Sequence, residues 1–146
     1  TLSVNPVSKF LKQKNLLRLR RMLGLITYCY AILHLTSYII IDLQLDWREF
    51  VKDVTKRNFI ILGATSIILL TPLALTSNNI SLKIIGSKSW KRLHYLAYPA
   101  AIISIIHFFM MIRADYHRPI IYAIILIALL IYRIWILGIK KYKNSH

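Results

Sequence analysis

The chain alternates long apolar runs with short polar connections, and four of the runs are long enough to cross a bilayer. Leu23 to Ile41 holds no Asp, Glu, Lys or Arg over 19 residues, close to the ~20 a helix needs to span the hydrocarbon core. Asn58 to Leu82 is a second such run. Pro72 within it is expected to kink or end the helix, because proline lacks the amide donor and crowds the preceding turn. The Asn78-Asn79 pair then marks a turn. Trp90 to Ile112 is the third run, with Lys91 and Arg92 at one end and Pro99 near its middle. The fourth, Pro119 to Ile139, opens on a proline suited to the first helical position. Arg133 lies near its inner end, where the stem can lie along lipid while the head reaches water. Between the first two runs, Asp42 to Arg57 is polar. There Trp47, Phe50, Val51 and Val54 recur at i, i+3, i+4 and i+7, which predicts a short amphipathic helix on the membrane surface. The pattern as a whole predicts an all-α fold, a polytopic membrane helical bundle of four spans.

Composition and charge sharpen that picture. At 57% hydrophobic residues and a mean hydropathy of +0.54, the chain is too apolar for an ordinary soluble domain. A net charge of +15 would suit nucleic acid, but the basic residues sit at the ends of apolar runs and form no continuous face. No nucleic-acid partner is expected, and membrane lipid is. With four spans, 14 of the Lys and Arg residues fall on the side of the two termini and 6 on the other, together with all five acids. The positive-inside rule then places both termini of this chain in the cytoplasm. Residues 1–21 read as a basic cytoplasmic segment, with the stub before Val7 as the end of a missing upstream helix. Residues 22–139 form the transmembrane domain, and 140–146 a basic cytoplasmic tail. The chain starts at Thr1 with no signal pattern before it, as expected of a processed chain or a piece of a longer one. A single cysteine, Cys29, excludes an intramolecular disulfide and cysteine-based zinc or iron–sulfur sites.

The candidate chemistry lies in the histidines. Ionisable residues inside a span are rare and usually functional. The first and third spans run in the same direction. His34 follows Arg21 by 13 residues and His107 follows Arg92 by 15, so both lie roughly 20 Å from the inner boundary at about 1.5 Å per residue. Two imidazoles at one depth on parallel helices can supply the two axial nitrogens of a haem iron. With no Cys-x-x-Cys-His motif, such a haem is non-covalent, b-type. Tyr28, Tyr30, Tyr38, Phe108 and Phe109 are expected to wall it from water. His94 precedes His107 by 13 residues; the two point some 140° apart on an ideal helix, unless Pro99 bends it. Opposite His94, the first span offers Arg20 and Arg21 but no histidine, so an inner haem would lack a second protein ligand, although an arginine can pair with a propionate. His117 and His146 read as solvated. Packing remains the alternative for each span histidine, and for His94 an interfacial role stands level with ligation.

Four phrases, in order, carry a resemblance: Arg20-Arg21-Met22-Leu23-Gly24-Leu25, Leu33-His34-Leu35-Thr36-Ser37-Tyr38, Pro72-Leu73-Ala74-Leu75-Thr76-Ser77 and Trp90-Lys91-Arg92-Leu93-His94. Together they resemble the MsrQ (YedZ) family, haem-binding membrane subunits of the bacterial protein-methionine-sulfoxide reductase system, within the wider ferric-reductase-like transmembrane group. The resemblance covers about Arg18 to Arg133, and members usually have about two further spans at the front. It implies b-type haem, one or two, held by His34, His94 and His107, with Arg20 where ferric-reductase relatives have another histidine. It also implies FMN, electrons from the quinone pool or a cytosolic flavin reductase, and a periplasmic molybdenum-containing partner, MsrP. MsrP would reduce the methionine sulfoxide, so this chain carries no catalytic residue of its own and serves as an electron-transfer subunit. Two other readings stay open: a ferric or other metal reductase acting directly, and a haem-free membrane scaffold or transporter subunit. The acids of the outer connection, Asp46, Glu49 and Asp53, are expected to help dock a partner.

Overall fold

The computed structural model describes residues 16–112 and 115–143, with side chains over 19–112 and 115–136. Lys9, Lys12, Lys14, Arg113 and His146 therefore lie outside the described residues. Among the described residues seven α-helices follow one another: α1 (Leu16–Ser37), α2 (Trp47–Lys56), α3 (Asn58–Leu75), α4 (Asn79–Ile85), α5 (Ser87–Leu93), α6 (Ala97–Met111) and α7 (His117–Lys143). Among the described residues four stretches are long and apolar enough to cross a membrane: Leu19–Asp42, Asn58–Leu75, Ser87–Met111 and His117–Ile136. The protein is an all-α, multi-pass membrane bundle. Its apolar side chains face outward along the spans; Ile68 is 68% exposed and Ile134 69%. Such surfaces are stable only against lipid.

The two central helices, α3 and α6, form the closest pair, with α1 packed on α3 and α7 packed on α6. Small residues explain the approach. Ser66 of α3 is buried and Ala100 of α6 is 0% exposed. The Ser66 hydroxyl lies 2.6 Å from that of Ser104 and 3.1 Å from the Ala100 carbonyl, which also accepts from Ser104 at 2.8 Å. Without side-chain bulk at the seam, backbones come close, and the hydroxyls satisfy one another where water is absent. Tyr28 and Thr71 make the corresponding contact between α1 and α3, oxygen to oxygen at 3.2 Å.

The connections show where local chemistry overrides a simple reading. The first span does not stop at Ser37 but widens into a π-type turn, Tyr38–Asp42, closed by the Leu43 amide on the Tyr38 carbonyl at 3.1 Å. Gln44 (φ 48°) and Leu45 (φ 64°) then reverse the chain in the left-handed region, at a cost of roughly 1–2 kcal/mol each. Asp46 caps α2, its Oδ1 accepting from the amides of Arg48 (2.8 Å) and Glu49 (3.3 Å). Pro72 does not end α3; the helix runs on to Leu75, and the hydroxyls of Thr76 and Ser77 close it on the carbonyls of Pro72 and Leu73, each at 2.6 Å. Asn78 caps α4 through the Ser81 amide. The third span is interrupted by a 3₁₀ turn, His94–Leu96, before Pro99 rather than at it. A proline crowds the carbonyl four residues back, here that of Tyr95, so the distortion falls one turn upstream. Pro119 occupies the third position of α7, which begins at His117 under an Asp115 side-chain cap of 2.9 Å.

Helix α2 is amphipathic as expected, but its apolar stripe is shared. Trp47 and Val51 are exposed, at 65% and 60%, while Phe50 and Val54 line a cavity beneath the helix. It is tied down by the Tyr38 hydroxyl, which donates to Asp53 Oδ2 at 2.8 Å, and by Arg57 Nε on Asp53 Oδ1 at 3.2 Å. Tyr38→Phe or Asp53→Asn should each cost about 1 kcal/mol of local stability. Amide exchange over Trp47–Lys56 would then be roughly five-fold faster, with the four spans unchanged; hydrogen exchange by mass spectrometry checks this.

Candidate haem site

A cavity of about 1280 Å³ opens between α1, α2, α3 and α6, reaching from Thr27 halfway along α1 to Asp46 and Glu49 at the start of α2. His34 and His107 both line it. Their ring centroids are 6.5 Å apart, with ring planes at 73°. The common depth expected from the spacing is thus realised as a facing pair.

The pair is asymmetric. His107 is half-buried, and its Nδ1 lies 2.7 Å from the Phe59 carbonyl of α3. A carbonyl only accepts, so Nδ1 carries the proton and Nε2 keeps its lone pair for a metal. The Phe59 ring tilts against the same imidazole at 6.3 Å. His34 is exposed toward the cavity, and its ring receives no hydrogen bond from the described residues.

These residues fit a haem. Metal–imidazole bonds are about 2 Å and a ring centre lies roughly 1 Å behind its nitrogen, so two axial imidazoles on one metal have centroids on the order of 6 Å apart. The cavity exceeds the ~300–1,000 Å³ usual for organic ligands. Among the described residues no group of three or more His, Cys, Asp or Glu side chains gathers to hold a bare metal ion. The site therefore offers two imidazole rings whose centroids lie 6.5 Å apart.

The aromatic lining differs from expectation. Tyr38 lines the cavity, but the other aromatic walls are Phe50 and Phe59. Tyr30 is 75% exposed, Tyr28 is engaged by Thr71, and Phe108 packs on Tyr122 of α7 at 6.1 Å. The acids proposed for docking each have a local partner as well. Asp46 caps α2, Asp53 holds Tyr38 and Arg57, and Glu49 pairs with Lys52 at 2.8 Å. The Glu49 hydrogen bond raises the Lys52 pKa above that of a free lysine.

His94 stands apart, at the other end of the third span. Its ring stacks on Trp90 at 3.7 Å, with Nδ1 3.1 Å from the Trp90 carbonyl. Trp90 in turn donates its indole N–H to the Thr76 carbonyl at 2.8 Å. Arg20 is exposed near the start of α1, while Arg21 reaches Asn79 at 2.8 Å. Among the described residues His94 has no histidine partner; its ring neighbour is Trp90. Arg133 Nε is buried with no hydrogen-bond partner among the described residues. His117 begins α7 and is exposed, and Cys29 is exposed on α1.

Sequence reasoning did not anticipate Phe59, Gly63, Ser66 or Ser104. The available signal was the run of small residues at helical spacing, Gly63 and Ser66 on one span and Ala100 and Ser104 on the other, which marks a close helix pair.

The chain is a four-span membrane bundle with His34 and His107 close together beside a cavity. The chain belongs to the family of ferric reductase like transmembrane components, whose model matches residues 1–105. Within that family it is similar to the protein-methionine-sulfoxide reductase heme-binding subunit MsrQ of several bacteria. It is 40% identical to MsrQ of Caulobacter vibrioides over 134 residues, 92% of this chain and 64% of that protein. With MsrQ of Xanthomonas campestris it shares 39% over 135 residues, 92% of this chain and 62% of the relative. With that of Herminiimonas arsenicoxydans it shares 40% over 147 residues, 99% of this chain and 67% of the relative. The chain thus spans about two thirds or less of these relatives' length. No solved structure matches.

Proposed function

We propose that this chain is the haem-binding part of an electron-transfer subunit that serves a periplasmic methionine-sulfoxide reductase. Electrons would come from the quinone pool or a cytosolic flavin reductase and leave for a molybdenum-containing partner of the MsrP type, across a bacterial inner membrane with both termini of this chain in the cytoplasm. One observation carries the haem assignment: His34 and His107 face each other at 6.5 Å across a cavity. The names of the relatives support the wider role.

Haem, when bound, supplies reversible one-electron chemistry that no side chain here offers. The residues do the rest. His34 and His107 would hold the iron, and the Phe59 carbonyl fixes the tautomer that leaves His107 Nε2 open. Leu35, Phe50, Phe59 and Ile60 keep the cavity wall apolar, which limits water and sets the dielectric around the iron. His94 and Arg20 are proposed for a second cofactor at the inner end, where Arg20 would pair with an acidic group. An FMN would also belong to this reading, and its site is not assigned to residues of this chain.

The test is an absorption spectrum of the detergent-purified protein, oxidised and then dithionite-reduced. Sharp reduced α and β bands of a low-spin b-type haem are expected. A haem-free spectrum, from folded protein expressed with ample haem, would end the proposal. Rapid reoxidation by ferric chelates with no protein acceptor would instead favour a direct metal reductase.

A further inference from the structure

We infer that Gly63 of α3 is the residue that positions the His107 imidazole, by clearing its path to the Phe59 carbonyl; the inference rests on the haem reading above. Helix α3 contributes no ligand of its own, yet at Gly63 it leaves no room for a side chain beside His107. A Cβ built on Gly63 would stand 2.9 Å from His107 Cε1, 3.1 Å from Nδ1 and 3.5 Å from Nε2, and these are the three nearest atoms it would meet. All three belong to one ring. The imidazole therefore meets the bare backbone of α3 along its Cε1 edge.

The helical register explains why this position in particular is bare. Phe59 precedes Gly63 by four residues, so in an α-helix the amide of Gly63 is bonded to the Phe59 carbonyl. The Cα–Cβ bond of a helical residue tilts toward the N-terminus and lies over the preceding turn. Any side chain at 63 would thus lean over the carbonyl that receives His107 Nδ1 at 2.7 Å. Glycine is a poor helix former, and α3 has no turn or positive φ at this position to require one. The ring contact is what does. With the ring seated, Nδ1 is committed as donor and Nε2 keeps its lone pair, without help from the ligand.

The experiment compares the wild type with Gly63→Ala, using the full chain in detergent, with far-ultraviolet circular dichroism, haem per chain and spin state as readouts. Alanine favours a helix over glycine, so helical content should be unchanged. The displaced ring should lower haem affinity about ten-fold or more and convert part of what remains from low-spin to high-spin. A midpoint potential shifted from wild type is expected in the haem that stays bound. Wild-type spectra, potential and haem content in Gly63→Ala would overturn the inference while leaving the haem reading intact. A haem-free wild type would overturn both. Should Gly63→Ala fail to fold, the pair Gly63→Ala with His107→Ala must recover folding, because the added methyl then meets no ring. Failure of that pair to recover would overturn the assignment, since the clash would lie elsewhere.

Discussion

His107→Ala is expected to leave the protein almost free of haem, whereas His34→Ala should keep a substantial share of it in a five-coordinate, high-spin form. The difference follows from how each ring is held. His107 is half-buried, hydrogen-bonded through Nδ1 to Phe59 at 2.7 Å and seated on Gly63. Its Nε2 is aimed before any ligand arrives, so little ordering entropy opposes the bond. Supporting groups of this kind typically change metal affinity by 10–100-fold, and loss of the ligand itself should exceed that. His34 is exposed to the cavity and its ring has no such support. It adds the second axial bond but organises less of the pocket. Haem per chain, by pyridine haemochrome, and the position of the Soret band separate the two outcomes. Equal and complete loss in both variants would mean that the pocket forms only when both bonds do. Full retention in both would remove the pair as ligands.

How much of this was legible in the sequence depended on whether a feature is local. The spans were legible because charges cannot sit in lipid, so runs such as Leu23 to Ile41 report their own fate. The α2 helix was legible from its periodicity, and Asp46 stands where an N-cap should. The meeting of His34 with His107 could be anticipated because depth along a helix is simple arithmetic. What could not be read was anything that depends on helix rotation and pairing. Phe59 looked like one more apolar residue, since a backbone carbonyl leaves no trace in a side-chain pattern. Tyr38 was assigned to a wall, but its hydroxyl found Asp53 only because a π-type turn rotated it toward α2. Pro99 marked a place where the third span could bend and Pro72 was expected to kink or end its helix, but the outcome at each was set by context. One was absorbed as a 3₁₀ turn upstream, and the other inside a helix closed by two hydroxyl bonds.

The same seam makes the second large effect, in stability rather than binding. Ala100→Leu should destabilise the bundle by ~1–3 kcal/mol or more, since overpacking a closed contact forces backbone shifts. Ala100 is 0% exposed, between α3 and α6. Its carbonyl lies within hydrogen-bonding distance of both the Ser66 and Ser104 hydroxyls. Three added carbons have no void to enter, so the helices must part and the hydroxyls must lose their partners. Ser66→Ala, which removes one hydroxyl and adds no bulk, should cost only about 1 kcal/mol. Thermal unfolding in detergent, followed by circular dichroism, would rank the two. The ranking carries a consequence for the site. Ser66 follows Gly63 by one helical turn, and His107 follows Ser104 by one turn on the facing helix. Parting the seam at Ala100 should therefore lift His107 from Phe59, and haem content should fall in Ala100→Leu at temperatures where the protein is still helical. If stability fell while haem content and spin state held, the imidazole would be anchored by the outer half of α6 alone, independently of the serine seam.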